Sequence, residues 1–183
     1  MSRFIVLLLA LFAVGCTCET KEPFMKFHRQ VMKKTYNWVL ADNEASKYKD
    51  QEADARAYLK TLRETPNIYN VSQKMVTDGF KWHKEAVDFI SYPWVTIARK
   101  RGDCDDFMAL WEAVFKYKGG KTERVSVTST EGKGHAMLLF FPPSSNIFYL
   151  LSNAKVLTQM AKGKEEEAIR LFYGDKTDCF IRY

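Results

Sequence analysis

Apolar residues recur at helical spacing through the first half of the chain, then give way to alternation and short apolar runs in the second. Residues 24–40, FMKFHRQVMKKTYNWVL, set Phe24, Phe27, Val31 and Trp38 along one side of an amphipathic helix. Residues 42–63 are rich in charge, with Tyr58, Leu59 and Leu62 as the main apolar positions, and predict a solvated helix ended near Pro66. A third helix is expected over residues 71–91, with Met75, Trp82, Ala86 and Phe89 on one side and Pro93 interrupting it. The strongest pattern comes next. In CDDFMALWEAVFKYKGG, Phe107, Leu110, Trp111, Val114 and Phe115 fall at i, i+3, i+4, i+7 and i+8, a continuous buried stripe. Asp103 is a good N-cap for this helix and Gly119 supplies its stop.

Past Gly119-Gly120 the period changes. ERVSVTS alternates like a half-buried strand, HAMLLFF and IFYLL are short apolar runs, and TEGKG and PPSSN between them carry turn chemistry. Three consecutive strands in an antiparallel meander are predicted, and the tail KEEEAIRLFYGDKTDCFIRY adds a helix and a closing strand. Helices first and strands afterwards make an α+β fold, with an N-terminal helical region over residues 24–91 and the Cys104 helix packed on a small antiparallel sheet. The large aromatics Trp82, Trp94 and Trp111 are expected in the core, and the KGKEEE run as a solvated helix start.

The first residues change where that domain begins. In MSRFIVLLLALFAVGCTC, Arg3 precedes an apolar run from Phe4 to Val14 that is too short for a stable bilayer span and has the shape of a secretory signal. Residues 1–15 are read as a signal peptide and 16–183 as a single domain; taking the first 15 residues from 183 leaves 168, enough for one hydrophobic core. Two cleavage readings stand. Ala13 and Gly15 suit ordinary signal peptidase, whereas FAVGC resembles a bacterial lipobox that would acylate Cys16 and tether the protein to a membrane as a lipoprotein. Both place the chain in the bacterial cell envelope, in the periplasm or anchored to a membrane. The formal net charge is +6, but Lys and Arg are scattered among acids without a basic block or nucleic-acid motif, which argues against nucleic acid as a partner.

The cysteines are Cys16, Cys18, Cys104 and Cys179, and an oxidising compartment favours pairing. With Cys16 acylated, Cys18 and Cys179 are left to bridge and Cys104 remains as a free thiol; the sequence leaves that connectivity open. A thiol in the first turn of a helix feels exposed N–H groups and the positive end of the dipole, which favour thiolate. The neighbouring Asp105 and Asp106 oppose that effect, so a second cation is needed. His135, 31 residues downstream at the start of a predicted strand, can supply it. The imidazole in turn needs a partner, and the next strand ends LLSN, offering Ser152 and Asn153 for an adjacent-strand contact. His28 and His83 have no such partner.

GDCDDF on a helix, GHAML on a strand and YLLSN on the following strand resemble the bacterial transglutaminase-like cysteine peptidases, within the wider transglutaminase-like, papain-related superfamily. The approach YPWVTIARKRGDC adds to the resemblance, which covers roughly residues 85–155. It implies Cys104 as nucleophile and His135 as general base and acid, acting on a protein or peptide amide through an acyl-enzyme that water hydrolyses or an amine captures. The third member of such sites is usually an aspartate in an LDN-like segment; here Ser152 stands in that place, with Asn153 beside it. The resemblance further implies the Cys104 N–H as one oxyanion donor, the Trp94 indole as a second, and Asp105 and Asp106 as ligands of calcium, which some relatives bind; simple helix-start capping is the favoured reading for both acids. No other cofactor is expected. The serine in place of an acid also motivates an alternative, the same fold with impaired chemistry serving as an envelope binding module. A peptidoglycan-cleaving thiol hydrolase ranks lower, because such enzymes usually carry Ser and Gly after the cysteine and this chain has CDDF.

Overall fold

The structure, a computed structural model, describes residues 38–85, 89–129, 134–174 and 177–182, with backbone alone for 128, 129 and 177–182. Helix α1 covers residues 38–46, and a short 3-10 turn, Lys49–Gln51, leads into α2, Glu52–Glu64. The charged stretch expected as one helix is therefore broken at residues 47–51. Its buried face is the expected one, with Ala55, Leu59 and Leu62 turned inward. Helix α3, Ile68–Thr77, starts where the Asn67 side chain accepts a hydrogen bond from the Tyr69 N–H at 2.8 Å.

The expected helix over 71–91 stops at Thr77, because Gly79 takes a positive φ of 88° that turns the chain away. Lys81–Trp82 then forms β1, paired in parallel with β2, Arg101–Gly102. Trp82 is consequently 54% exposed and not a core residue. Pro93 begins a helix instead of interrupting one: it is the first residue of α4, Pro93–Arg99, where a missing N–H costs nothing. Helix α5, Cys104–Tyr117, runs as the apolar stripe predicts, with Phe107, Leu110, Trp111, Val114 and Phe115 all essentially without solvent contact.

The strands are β3, Lys121–Ser129; β4, Gly134–Phe141; β5, Ile147–Ser152; β6, Lys155–Ala161; and, after helix α6, Glu165–Tyr173, β7, Thr177–Arg182. They form one antiparallel sheet in the order β6-β5-β4-β3-β7. The fold is α+β, as expected, with one strand, β6, that the apolar pattern does not reveal. Glu165, at the start of α6, is buried and accepts from the Gly163 N–H at 3.0 Å, so that helix start is not fully solvated.

Alternation along β4 separates two cores. Ala136, Leu138 and Phe140 join Leu151 and the helices α2 to α5 on one face. Met137, Leu139 and Phe141 join Val125, Val127, Phe148, Leu150 and the inner side of α6 on the other. Helix α5 is seated on its face by a stack of rings: Trp111 lies 5.2 Å from Phe115, and Phe115 lies 4.1 Å from Phe140. The Trp111 indole also donates to the Asn153 carbonyl at 2.6 Å, tying the helix to the β5–β6 turn. Among the described residues, no helix is long and apolar enough to cross a membrane.

Phe115→Ala empties the centre of this ring stack. It is expected to lower stability by about 3–5 kcal/mol, measured as the shift in urea unfolding free energy, whereas Tyr117→Ala, on the exposed side of the same helix, is expected to cost less than about 1 kcal/mol.

Candidate active site

The first turn of α5 is fixed by a closed set of carboxylate contacts. Asp103 accepts from the Asp106 N–H at 3.4 Å, and Asp106 accepts in return from the Asp103 N–H at 3.3 Å, a reciprocal capping box. Asp106 is wholly buried, and its carboxylate also accepts from the Ser91 N–H at 2.7 Å and from Arg99 at 2.8 Å. Gly102 has no side chain to obstruct this: a Cβ there would lie 2.7 Å from both Cβ and Oδ2 of Asp106. The Arg99 guanidinium reaches Glu85 at 2.7 Å, the Ser91 hydroxyl at 2.9 Å and Glu44 at 3.4 Å. One buried cation thus serves three carboxylates. Burial, together with the Asp106 charge, pushes Glu85 up to about 7 against the pull of Arg99. Burial raises Asp106 as well, although Ser91 and Arg99 oppose it.

Cys104 is the first residue of α5, half-buried against the helical core, and a free thiol. The backbone N–H of Ala136, the residue after His135, acts on its thiol and favours the charged form. The β4–β5 register reaches only Leu138 opposite Leu151, so the opening segment of β4 has no strand beside it on that side. Cys104 packs against the core on the helical face of the sheet. Burial pushes its thiol up to about 11; the Ala136 N–H opposes the rise, the Asp105 and Asp103 carboxylates add to it, and the residue's own N–H opposes it.

His135 is the second residue of β4. Alternation along β4 sends its side chain to the α6 side, where its ring stacks on Tyr173 with centroids 5.6 Å apart and planes 19° from parallel. Its Nε2 lies 2.7 Å from the Ser152 hydroxyl. Burial lowers the imidazole below its usual range. Of the two residues offered by LLSN, Ser152 meets the imidazole. Asn153 turns away at a positive φ of 49°, its carbonyl on Trp111 and its side-chain oxygen buried without a hydrogen-bond partner. Tyr173 was not signalled by the sequence. Burial raises its phenol, and the Cys104 charge raises it further, so the ring that stacks on His135 also lies within electrostatic reach of the sulfur.

Other expected participants lie elsewhere. The Trp94 ring sits beneath the Arg56 guanidinium, 5.8 Å from its centroid, and lines a cavity of about 570 Å³ between α2 and α4 that has neither Cys104 nor His135 in its wall. Asp106 does not fit the part of a calcium ligand, because its oxygens are committed to Ser91, Arg99 and Asp103. No group of three or more acidic, His or Cys side chains suited to a metal occurs among the described residues. Cys16, Cys18, His28 and the whole of residues 1–37 lie outside the described residues, as does the side chain of Cys179, whose backbone pairs with Thr128 in β7.

No family model matches the chain, and no curated protein matches it. Similar solved structures include Legionella pneumophila LapG in an EGTA-treated form, at 14% identity over 76% of this chain and 78% of that one, with a TM-score of 0.49. The same protein without further description matches at 14% identity, 76% and 81% coverage and a TM-score of 0.45, and its calcium-bound form at 15%, 77% and 80%, with 0.45.

The Arg99 cluster predicts a pH slope in stability. Glu85 is raised from 4.5 to about 7, so its contribution is fully present below about pH 4.5 and lost as pH rises through about 7. Glu85→Gln keeps an acceptor for Arg99 without the charge. Urea unfolding is expected to show this variant gaining on wild type across that window and to be the more stable protein above it; a difference that stays constant with pH would contradict the assignment.

Proposed function

We propose that this chain is an exported cysteine peptidase or amidase of the transglutaminase-like type, in which Cys104 is the nucleophile, His135 the general base and acid, and Ser152 the group on the far imidazole nitrogen. The observation that carries the reading is that the Ala136 N–H acts on the free Cys104 thiol while the residue before it, His135, is held at Nε2 by Ser152. In the resting site both groups are neutral. Attack on an amide carbonyl therefore couples two events, as the Sγ–C bond forms and the thiol proton passes to His135 Nδ1. The oxygen that gains charge meets the Cys104 N–H at the helix start. His135 then gives its proton to the leaving amine, the C–N bond breaks, and a thioester remains. Water or a second amine attacks that thioester, loses a proton through His135, and the thiol is restored.

The protein or peptide substrate is proposed to lie in the bacterial envelope, from the signal-like residues 1–15 and the lipobox-like segment at Cys16, which also makes a membrane surface a partner if the cysteine is acylated. A second reading, a catalytically impaired fold used as an envelope binding module, draws on the raised thiol, the lowered imidazole and the serine at 152.

Labelling by a thiol-directed electrophile, mapped by peptide mass, separates the two. Modification of Cys104 in wild type is expected to slow by about 10²-fold in His135→Ala, and Ser152→Asp, which places a carboxylate on Nε2, is expected to speed it by about tenfold. Equal labelling of wild type and His135→Ala supports the binding module instead. Profiling with envelope proteins as substrates takes Cys104→Ala as its control. Intact mass of the mature protein checks export: a lipid-modified Cys16 supports the anchored form, cleavage without lipid the soluble one, and an intact Met1 start overturns both.

A further inference from the structure

A hydrogen bond to one ring nitrogen fixes an edge of an imidazole but leaves the ring free to tilt about that contact. A carboxylate in the position of Ser152 would restrain it further through charge; a hydroxyl does not. Here the second restraint comes from the opposite layer. Tyr173 ends α6, whose Ala168 and Ile169 are fully buried against the sheet, and its ring packs on the same core. Gly174, at a positive φ of 72°, closes the helix with its N–H on the Arg170 carbonyl at 2.7 Å, so the last turn holds Tyr173 in place over His135.

We propose that Tyr173 is a positioning residue of this site: its ring, stacked 5.6 Å from the His135 ring and 19° from parallel, holds the plane of the imidazole while Ser152 holds its Nε2 edge. The inference rests on the reading of Cys104 and His135 as a reacting pair. It assigns the last turn of α6, on the far side of the sheet from the nucleophile's helix, to the machinery that aims Nδ1 at the thiol.

Among the described residues, the titratable groups to be followed beside the imidazole are the Tyr173 phenol, from α6, whose ring stacks on it, and the Cys104 thiol, from α5, which acts on that phenol and has Asp103 and Asp105 acting on it in turn. Ser152 from β5 and Val127, opposite His135 on β3, do not titrate. The test follows the His135 imidazole resonances by NMR against pH, with His135→Ala for assignment, and the labelling rate of Cys104 in the same full-length proteins. Tyr173→Phe keeps the ring and is expected to leave the titration midpoint unchanged and the labelling rate within about twofold of wild type. Tyr173→Ala admits water, so the midpoint is expected to rise toward 6.5, and labelling to fall by about tenfold as the imidazole loses its aim. If Tyr173→Ala does not fold, Tyr173→Leu, which keeps bulk without a planar ring, is held to the same expectations. A midpoint and rate unchanged without the ring would overturn the proposal, and so would a Phe variant as impaired as Ala, which would assign the effect to the hydroxyl. Should His135→Ala label like wild type, the acyl-transfer reading falls, while the imidazole titration still decides whether Tyr173 controls the ring.

Discussion

The buried carboxylate of Asp106 is the constraint on which the site depends. A fully desolvated carboxylate is costly unless its oxygens are met by donors. Here they are met by three segments at once: the backbone before α4, the Arg99 side chain at the end of α4, and the N–H of Asp103 at the start of α5. None of these can shift alone without leaving a buried group unpaired. The apolar stripe of α5 fixes the rest of that helix on the sheet, and the ladder between β1 and β2, extended by the His83 N–H on the Gly102 carbonyl at 2.8 Å, fixes the chain entering it. Cys104 therefore has its position set from both sides by groups that do not touch its sulfur.

Charge is distributed to suit that arrangement. Arg99 and the three carboxylates that it pairs with lie behind the helix start, while the capping box holds Asp103 and Asp106 to each other. The acids nearest the thiol raise it, and burial raises it more than they do. The helix N-terminus alone does not produce a thiolate here, because its favourable field, of the order of 1 kcal/mol near a surface, competes with desolvation and two carboxylates. Burial raises the thiol and lowers the imidazole, so each is pushed toward its neutral form.

Much of this was legible in the sequence where a single period dominated. The α5 stripe, the Asp103 cap and the β3–β4–β5 meander follow from spacing alone, and the placing of Cys104 at a helix start and of Ser152 beside His135 follows from where those elements end. The failures have physical causes. Gly79 overrode an apolar spacing that ran past it, and so Trp82 went to the surface. Pro93, read as a breaker, occupies the one helical position that suits it. β6 is an edge strand exposed along much of its length, so KVLTQMA has no strong alternation to show. Tyr173 and Arg99 were invisible for another reason: each acts across a sheet or between helices, and no local pattern encodes which distant ring or carboxylate a side chain will meet.

The serine at 152 is consistent with the rest of the site rather than an isolated departure. A carboxylate there would hold an imidazolium and, through it, a thiolate, but it would bring another anion into a half-buried gap where Asp103 and Asp105 already act on the sulfur. A hydroxyl keeps Nε2 hydrogen-bonded at 2.7 Å without adding charge. Burial favours the uncharged forms of Cys104, His135 and Tyr173, and Ser152 adds no charge to them. On the proposed reading, geometry then replaces charge as the means of aiming the base. Contacts from both layers of the fold, the buried Asp106 on one side and the last turn of α6 on the other, fix the thiol's helix start and the imidazole ring respectively.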